Sequence, residues 1–372
     1  MGVNERLSQL EAVLKSINKD SKYKEDSGDS VIAKLSDKPL NVETISSGSL
    51  VLDQILGGGF GKGRLIEIYG PESSGKTSIA LTTVGNVQSA GGTAVFIDAE
   101  NALDPRYAAK LGVKVDELAV SQPSTAEQAM DLIQDLTLSG VVDIIVLDSV
   151  AALVPKRELE GDAGDLTVGE LARLMSRQLR KLARPAAKNG TTVIFLNQTR
   201  DKIGGFSPYG PVKTTPGGNA LKFAASQRVE IKKGQPIKSD SGSDKGEIVG
   251  NEVKFKIKKN KIAPPFGEGT TVLTYNQGIN LPAEIMEVGV AYGVIERPNN
   301  RRYVEAETGE IFATSKADAL TALRTDKDLF ERISAALRSA IDNNIFGVEV
   351  EETELEESLE GDTSLDETEV AE

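Results

Sequence analysis

The sequence predicts an α/β fold with a mostly parallel central sheet, and two observations support this. Four apolar stretches alternate with helical stretches between residues 64 and 198, which is typical of a parallel sheet covered on both faces. Polar residues follow these apolar stretches where the strands are expected to end. Because ligands of such sheets bind at the carboxyl ends of strands, these polar residues are candidates for a functional site.

The hydrophobic pattern predicts where each element lies. Buried strands form near-continuous apolar runs, whereas helices carry apolar residues every three or four positions. The predicted strands of the sheet span 64–69, 93–97, 142–147 and 191–196, and the predicted helices span 4–18, 78–90, 124–139 and 170–188. A lone strand is predicted at 31–35, short alternating strands at 227–275, and helices at 283–292, 315–323 and 328–343 around a strand region at 302–311.

The first predicted strand leads into a phosphate-binding loop, or P-loop. Backbone N–H groups of such a loop point at phosphate oxygens, and the N-terminus of the next helix, near Ser78, adds a favourable field. Lys76 is expected to reach the β- and γ-phosphates, and Thr77 to ligate Mg²⁺. A chance glycine-rich turn is the alternative, but the strand–loop–helix context favours nucleotide binding. The loop matches G-x-x-x-x-G-K-[ST] with Gly70, Pro71, Glu72, Ser73, Ser74, Gly75, Lys76 and Thr77.

Three polar residues follow the other predicted strands. Asp148 ends the third apolar run, where P-loop ATPases hold Mg²⁺ with an aspartate. Glu100 follows the second run, where a carboxylate is placed to activate a water molecule at the γ-phosphate. A helix N-terminal acid or an ion-pair partner is the alternative for Glu100. Gln198 follows the fourth run and is placed to sense the γ-phosphate and to pass that state to the loop after it.

Composition excludes several classes of protein. The 372 residues include no cysteine and no histidine, which rules out disulfides, thiolate metal sites and histidine-based catalysis. No apolar run approaches the roughly 20 residues that span a bilayer, and no signal peptide is apparent, so we expect a cytoplasmic protein with no membrane partner. The net charge of −13 comes mainly from residues 349–372, which hold twelve acidic residues and no Lys or Arg. We expect this tail to be disordered.

Two loops are candidates for binding nucleic acid. The long loop at 199–218 combines Arg200 and Lys202 with glycines and aromatic residues, which suits a phosphate backbone and stacked bases. The loop at 158–169 precedes a helix with a row of arginines on one face. A solvated basic face is the usual alternative for such a row. The arginines are Arg173, Arg177, Arg180 and Arg184.

Several of these motifs together resemble the bacterial RecA recombinase family. The resemblance spans about residues 4–345 and includes motifs that other P-loop ATPases lack. They lie at 67–77, 96–100, 102–105, 148–153, 217–223 and 259–266.

The resemblance implies a P-loop RecA-type ATPase core, an N-terminal helix–strand arm and a small α/β C-terminal domain. It implies ATP and Mg²⁺ as cofactors and a homo-oligomeric helical filament on single-stranded DNA, which pairs with homologous double-stranded DNA and exchanges strands. It further implies DNA repair, an SOS-response coprotease role toward a LexA-type repressor, and loading proteins as partners. The expected domains are 1–37 for protomer docking, 38–276 for the core, 277–346 for the C-terminal domain and 347–372 for the tail.

The resemblance also implies residue roles. Glu100 would activate the hydrolytic water, Gln198 would couple the γ-phosphate to the loop at 199–218, and Asp104 and Tyr107 would contact adenine. The first and second DNA-binding loops of the family would correspond to about 158–169 and 199–215. Lys259 and Lys261 would reach the ATP of the adjacent protomer, so that hydrolysis would need the filament. DNA would be bound by Arg173, Ser176, Arg180, Arg200, Lys202, Gly217, Gly218 and Asn219.

The sequence also departs from the family pattern. Asn101 stands where a histidine is usual, the loop at 199–218 is about two residues longer, and Glu170 places an acid in an apolar position. Three other classes of protein are alternatives: a replicative helicase, a RadA-like protein, or a nucleotide-dependent regulator. A helicase would be expected to carry another N-terminal domain and a RadA-like protein a cysteine-rich zinc site, and neither is found.

Removal of residues 347–372 is expected to strengthen binding to single-stranded DNA, because a competing polyanion is lost. Titrations of labelled DNA over a salt series should show the largest gain at low and moderate salt, since salt screens the tail. A full-length chain with the tail acids replaced by their amides should match the truncated chain. Unchanged binding across the series would contradict the competition.

Overall fold

The structure, a computed structural model, describes residues 2–20, 22, 32, 42–161, 169–201, 213–239, 245–298 and 301–346. It divides into two compact units, residues 1–43 and 44–372. The boundaries that the sequence predicts at 37, 276 and 346 stay predictions. The predicted acidic tail and most of the predicted strand at 31–35 lie outside the described residues.

The first unit contains one long helix, α1 (Val3–Lys19), which agrees with the prediction for 4–18. The Asn18 side chain donates to the carbonyl oxygen of Ile32 at 2.8 Å and accepts from the Ile32 N–H at 3.2 Å. Leu7 and Leu10 of the apolar stripe are about half exposed within this chain.

The second unit holds the remaining elements. The helices are α2 (Leu50–Leu56), α3 (Lys76–Ser89), α4 (Pro105–Lys110), α5 (Ala126–Ser139), α6 (Lys156–Glu160), α7 (Glu170–Asn189), α8 (Ala220–Ala224), α9 (Leu281–Ala291), α10 (Lys316–Thr325) and α11 (Lys327–Phe346). The strands are β1 (Thr44–Ile45), β2 (Phe60–Gly61), β3 (Leu65–Gly70), β4 (Ala94–Asp98), β5 (Ala119–Ser121), β6 (Ile144–Asp148), β7 (Thr192–Gln198), β8 (Arg200–Asp201), β9 (Lys213–Thr214), β10 (Gln227–Lys238), β11 (Ile248–Asn260), β12 (Glu268–Thr274), β13 (Gly278–Ile279), β14 (Ile295–Glu296), β15 (Tyr303–Glu305) and β16 (Ile311–Ala313).

A nine-stranded sheet forms the centre of this unit, in the order β13-β12-β11-β10-β3-β7-β6-β4-β5. The six strands from β10 to β5 are parallel to one another, and β11, β12 and β13 extend the sheet beyond β10 in antiparallel fashion. The predicted α/β class with a mostly parallel sheet is confirmed. All four predicted strands of the parallel part are present within two residues of their expected bounds.

The antiparallel strands differ from the expectation of short ones. β10 and β11 contain 12 and 13 residues and pair along most of their length. Shifts in their register near Arg228, Lys233 and Ile237 let the long ribbon bend without breaking its ladder. The sequence pattern marks the alternation of buried and exposed residues but not where such irregular positions join two runs into one strand.

Helices cover both faces of the parallel strands, as the continuous apolar runs require. One apolar cluster joins α2, α3, α9, α10 and α11 to one face, and includes Ile66, Ile68 and Ile79. A second cluster joins α5 and α7 to the other face, and includes Leu147 and Phe195. Residues of the C-terminal region thus share a core with the sheet.

Two buried carboxylates fix the segment before α2 and tie it to α9. Asp53 accepts hydrogen bonds from the hydroxyls of Ser46 and Ser47, both at 2.6 Å. Glu284 accepts from Ser49 Oγ and from the Leu50 N–H at 2.6 Å each. Burial raises the pKa of Asp53 to about 6 and that of Glu284 to about 7, although these hydrogen bonds act in the opposite direction.

Glu284→Gln should change how stability depends on pH. Because the pKa of Glu284 rises from 4.5 to about 7 on folding, the folded chain binds its proton more tightly in that range. This stabilisation is complete below pH 4.5 and is lost as the pH rises through 7, by about 3 kcal/mol in total. Denaturant unfolding should therefore show the variant's deficit shrinking between pH 5 and pH 8. The exposed neighbour Glu287→Gln serves as the control, and an equal pH slope in both variants would contradict the prediction.

Candidate nucleotide and DNA site

The P-loop between β3 and α3 has a backbone that suits phosphate binding. Ser73 and Gly75 have positive φ angles of 56° and 94°, which curve the loop. At Gly70, a Cβ atom would lie 2.1 Å from the carbonyl oxygen of Ile231, so a larger residue would displace backbone. Because α3 begins at Lys76, its first N–H groups lie beside the loop.

The Lys76 side chain is buried within this loop. Its Nζ donates to the carbonyl oxygen of Pro71 at 2.8 Å and lies 3.4 Å from that of Gly70. Burial lowers the pKa of Lys76, while the nearby carboxylates of Asp148 and Glu100 raise it. The ammonium group is therefore held at the centre of the loop, with carbonyl oxygens as its partners in this structure.

Thr77 and Asp148 form the candidate metal site. Thr77 Oγ1 donates to Asp148 Oδ2 at 2.6 Å across the ends of α3 and β6. Burial raises the pKa of Asp148 to about 6, and the hydrogen bond from Thr77 lowers it. Among the described residues, no cluster of three or more Asp, Glu, Cys or His side chains could hold a metal by itself. A hydroxyl and a carboxylate nevertheless suit Mg²⁺, which usually takes few protein ligands beside substrate phosphates.

Glu100 is brought to the same place by a turn after β4. Its Oε1 accepts from Ser149 Oγ at 2.5 Å and from Gln198 Nε2 at 3.1 Å. The structure thus brings together two predicted residues, Glu100 and Gln198, and adds Ser149, which was not among the predicted site residues. The peptide bond between Asp148 and Ser149 is cis. The only feature of the sequence that could have marked Ser149 as a site residue is its position directly after Asp148.

Asp98 shapes the turn that carries Glu100. Its buried carboxylate accepts from the N–H groups of Ala102 and Leu103 at 3.2 and 3.1 Å. The N–H groups of Ala99 and Glu100 in turn donate to the carbonyl oxygen of Asp148 at 2.7 and 3.2 Å. The turn is thus attached to the end of β6, which fixes Glu100 beside the candidate metal site.

The predicted adenine contacts lie at the start of α4. The Asp104 carboxylate caps this helix by accepting from the N–H groups of Arg106 and Tyr107. The Tyr107 hydroxyl lies 2.7 Å from Ser78 Oγ, which connects α4 to the start of the P-loop helix. These contacts place Asp104 and Tyr107 near the nucleotide site, and their contact with a base stays a prediction.

The arginines predicted to bind DNA lie on the exposed face of α7. Arg173 and Arg180 are exposed, and Arg180 Nε donates to the carbonyl oxygen of Ser176 at 3.0 Å. Arg173 Nη2 is 4.0 Å from Glu170 Oε1, a long contact for an ion pair. Glu170, the acidic residue that departs from the family pattern, therefore lies beside Arg173 of the basic row.

The loop at 199–218 contains a short two-stranded ladder, formed by β8 and β9. Arg200 pairs with Thr214 across β8 and β9. Lys202 lies outside the described residues, as does the rest of 202–212 and the first-loop segment 162–168. Gly217 is buried, Gly218 is half-buried and Asn219 is exposed after the ladder.

Lys259 lies near the end of β11, and Lys261 directly follows that strand. Lys259 Nζ donates to the carbonyl oxygens of Lys222 and Phe223 at 3.0 and 2.8 Å. Burial lowers the pKa of Lys259, and the positive charges of Lys261 and Arg228 lower it further. Lys261 is exposed.

The residues of the P-loop fit a nucleoside triphosphate. The Ser74 hydroxyl is buried and has no hydrogen-bond partner within the described part of the chain, so it is available to a phosphate oxygen. Lys76 and the N-terminus of α3 supply positive charge, and Thr77 with Asp148 supplies metal ligands. Fold and site together define a P-loop nucleotide-binding protein with a carboxylate held at the phosphate end.

Comparisons with known proteins identify the family. The family model described as the RecA N-terminal domain matches residues 8–280. The chain is 46% identical over 349 residues to the protein RecA of Thermus thermophilus, covering 93% of this chain and 98% of that protein. It is 43% identical to the RecA proteins of Enterococcus gallinarum, over 98% of this chain and 99% of that protein, and of Bacillus subtilis, over 96% and 100%.

The chain therefore belongs to the RecA family, and the resemblance drawn from the sequence is confirmed. It is a DNA-dependent ATPase of DNA recombination and repair. No helix among the described residues is long and apolar enough to cross a membrane.

Ser149→Ala is expected to lower ATP turnover by about tenfold with little change in KM for ATP. The lost hydroxyl is one of two donors that orient Glu100. Because Glu100 is the expected general base, its displacement would lower kcat more than ATP binding. Steady-state ATPase assays with saturating DNA would test this. Ser139→Ala removes an exposed hydroxyl bonded to the Leu136 carbonyl oxygen and is the control. Equal rates in the two variants would show that Ser149 does not position Glu100.

Proposed function

We propose that the site hydrolyses ATP with Glu100 as the general base. Glu100 takes a proton from water, and the water oxygen attacks the γ-phosphorus. The bond from the γ-phosphorus to the oxygen that bridges the β- and γ-phosphates breaks, and ADP leaves with that oxygen. Lys76 and the P-loop N–H groups hold the phosphates. Mg²⁺ bound by Thr77 and Asp148 would offset negative charge on the phosphates.

The observation that carries this proposal is the hydrogen bonding of Glu100. Ser149 and Gln198 both donate to the same oxygen, Oε1. In the proposal, the second oxygen, Oε2, accepts the proton of the water molecule. A carboxylate fixed in this way needs no rearrangement to accept a proton, which favours general-base catalysis over a scaffold role.

Gln198 connects this chemistry to DNA in the proposal. Its amide contacts Glu100, and the loop at 199–215 begins at the next residue. A γ-phosphate that competes for the Gln198 amide would release this contact and shift the start of the loop. The basic face of α7 and the loop would bind the DNA backbone, with Arg173, Ser176, Arg180, Arg200, Lys202, Gly217, Gly218 and Asn219 as the contacts.

Assembly into a helical filament on single-stranded DNA completes the proposal. Lys259 and Lys261 would reach the ATP of a neighbouring protomer, and residues 1–37 would dock on that neighbour. Asp104 and Tyr107 would hold adenine. The filament would pair with homologous double-stranded DNA and exchange strands. We further propose that the protein acts in the cytoplasm, with a LexA-type repressor and loading proteins as partners. The proposed domain bounds after the N-terminal segment are 38–276 for the core, 277–346 for the C-terminal domain and 347–372 for the tail.

The first experiment measures ATP hydrolysis with and without single-stranded DNA at several protein concentrations. Cooperative stimulation by DNA is expected, because Lys259 and Lys261 would act between protomers. Glu100→Gln should still bind ATP and DNA, but its rate of ATP hydrolysis should fall by about a hundredfold or more. Lys76→Ala is the contrasting variant and should lose ATP binding itself.

Two results would contradict the proposal. Turnover that is independent of both DNA and protein concentration would remove the role of the filament. Turnover of Glu100→Gln at the rate of the unaltered protein would remove Glu100 as the base. Glu117→Gln, an exposed carboxylate outside the site, controls for the change of charge.

A further inference from the structure

A fully buried asparagine precedes Gln198 at the end of β7. The Asn197 side chain donates from Nδ2 to Glu67 Oε1 at 3.2 Å and to the carbonyl oxygen of Pro216 at 3.1 Å. Its Oδ1 accepts from the Gln198 N–H at 3.0 Å. An amide group has two N–H hydrogens, so both donors are used. Asn197 thereby bridges the sheet and the end of the loop at 199–215.

A buried ion pair fixes the direction of this amide. Glu67 is fully buried on β3, and its Oε2 accepts from Arg228 Nε at 2.6 Å. The Arg228 guanidinium lies over the Tyr69 ring, 4.7 Å from its centroid, which holds it in place. Because an ionised carboxylate only accepts hydrogen bonds, Oε1 of Glu67 requires the NH₂ group of Asn197 to face it. The amide oxygen must then face Gln198.

The chain after Pro216 is held from the other side by α7. Gly217 and Gly218 have φ angles of 82° and 70°. A Cβ at Gly218 would lie 2.9 Å from the Cβ of Ala172, and one at Gly217 would lie 3.2 Å from Val150 Cγ1. The return of the loop therefore lies between the Asn197 amide and the helix that carries the basic row.

From these contacts we infer that Asn197 is a positioning residue that anchors the return of the 199–215 loop to the end of β7. The inference rests on the proposed function, in which Gln198 responds to the γ-phosphate. The Gln198 side chain contacts Glu100, while its backbone N–H is bound by Asn197. A displacement of Gln198 therefore moves the Asn197 amide, which moves Pro216 at the far end of the loop.

The test compares Asn197→Ala with Asn189→Ala. The Asn189 amide lies at the other end of α7 and likewise donates to two carbonyl oxygens, those of Thr137 at 2.7 Å and Leu138 at 3.4 Å. Asn197→Ala should keep ATP binding and DNA-independent turnover within about twofold, but need about tenfold more single-stranded DNA for half-maximal ATPase. Asn189→Ala should leave that DNA requirement unchanged.

Hydrogen exchange at residues 217–219 tests the anchor without DNA. Addition of a slowly hydrolysed ATP analogue should change exchange there in the unaltered protein and not in Asn197→Ala. If DNA fails to stimulate the unaltered protein, the proposed function is wrong, and this exchange measurement still decides the anchor. Equal DNA requirement and equal exchange in the two alanine variants would overturn the inference. So would a loss of ATP binding in Asn197→Ala, which would make the residue part of the nucleotide pocket.

Asn197→Asp provides a second variant of the same size. Its carboxylate would face two acceptors, Glu67 and the Pro216 carbonyl, and could donate only after taking up a proton. Its DNA requirement should therefore fall toward that of the unaltered protein as the pH is lowered from 8 to 6. An Asn197→Asp protein whose DNA requirement equals that of the unaltered protein at every pH would also overturn the anchor.

Discussion

The carboxyl ends of β3, β7, β6 and β4 lie side by side because these strands are parallel and in register. Gly70 pairs with Gln198, and Asp98 pairs with Asp148. Side chains along these strands are buried on both faces, so polar groups are accommodated only where the strands end. The P-loop, the candidate metal site and Glu100 all depend on this alignment. A shift of one strand by a single residue would separate them.

Burial acts on the charges gathered at this edge in opposite directions. It lowers the pKa of Lys76 and raises that of Asp148, which disfavours the charged form of each. Under the proposed function, phosphate oxygens would provide new partners for Lys76, and a divalent cation would favour ionised Asp148. The same partial burial that disfavours the charged forms of these two side chains would then strengthen their interactions with substrate.

Consecutive residues at the end of β7 serve two connections. Gln198 contacts Glu100, and Asn197 contacts both the Glu67–Arg228 pair and Pro216. Adjacent residues of a strand point to opposite faces, which is how one strand end reaches both the Glu100 carboxylate and the return of the loop. Coupling of the two would need no long pathway, since the shared element is a single peptide unit.

By itself the sequence determined the fold class, the parallel strands, the P-loop and the family, because these are encoded by local periodicity and by contiguous motifs. It also pointed to Glu100, Asp148 and Gln198 as candidates for the site, because each follows an apolar run. Tertiary structure alone decided that Ser149 binds Glu100 and that Asn197 joins Glu67 to Pro216. Those partners are 49, 130 and 19 residues apart, and hydrogen bonds between distant segments leave no periodic trace in a sequence. The long β10–β11 ribbon escaped prediction for a related reason, since its register shifts arise only when two strands pair.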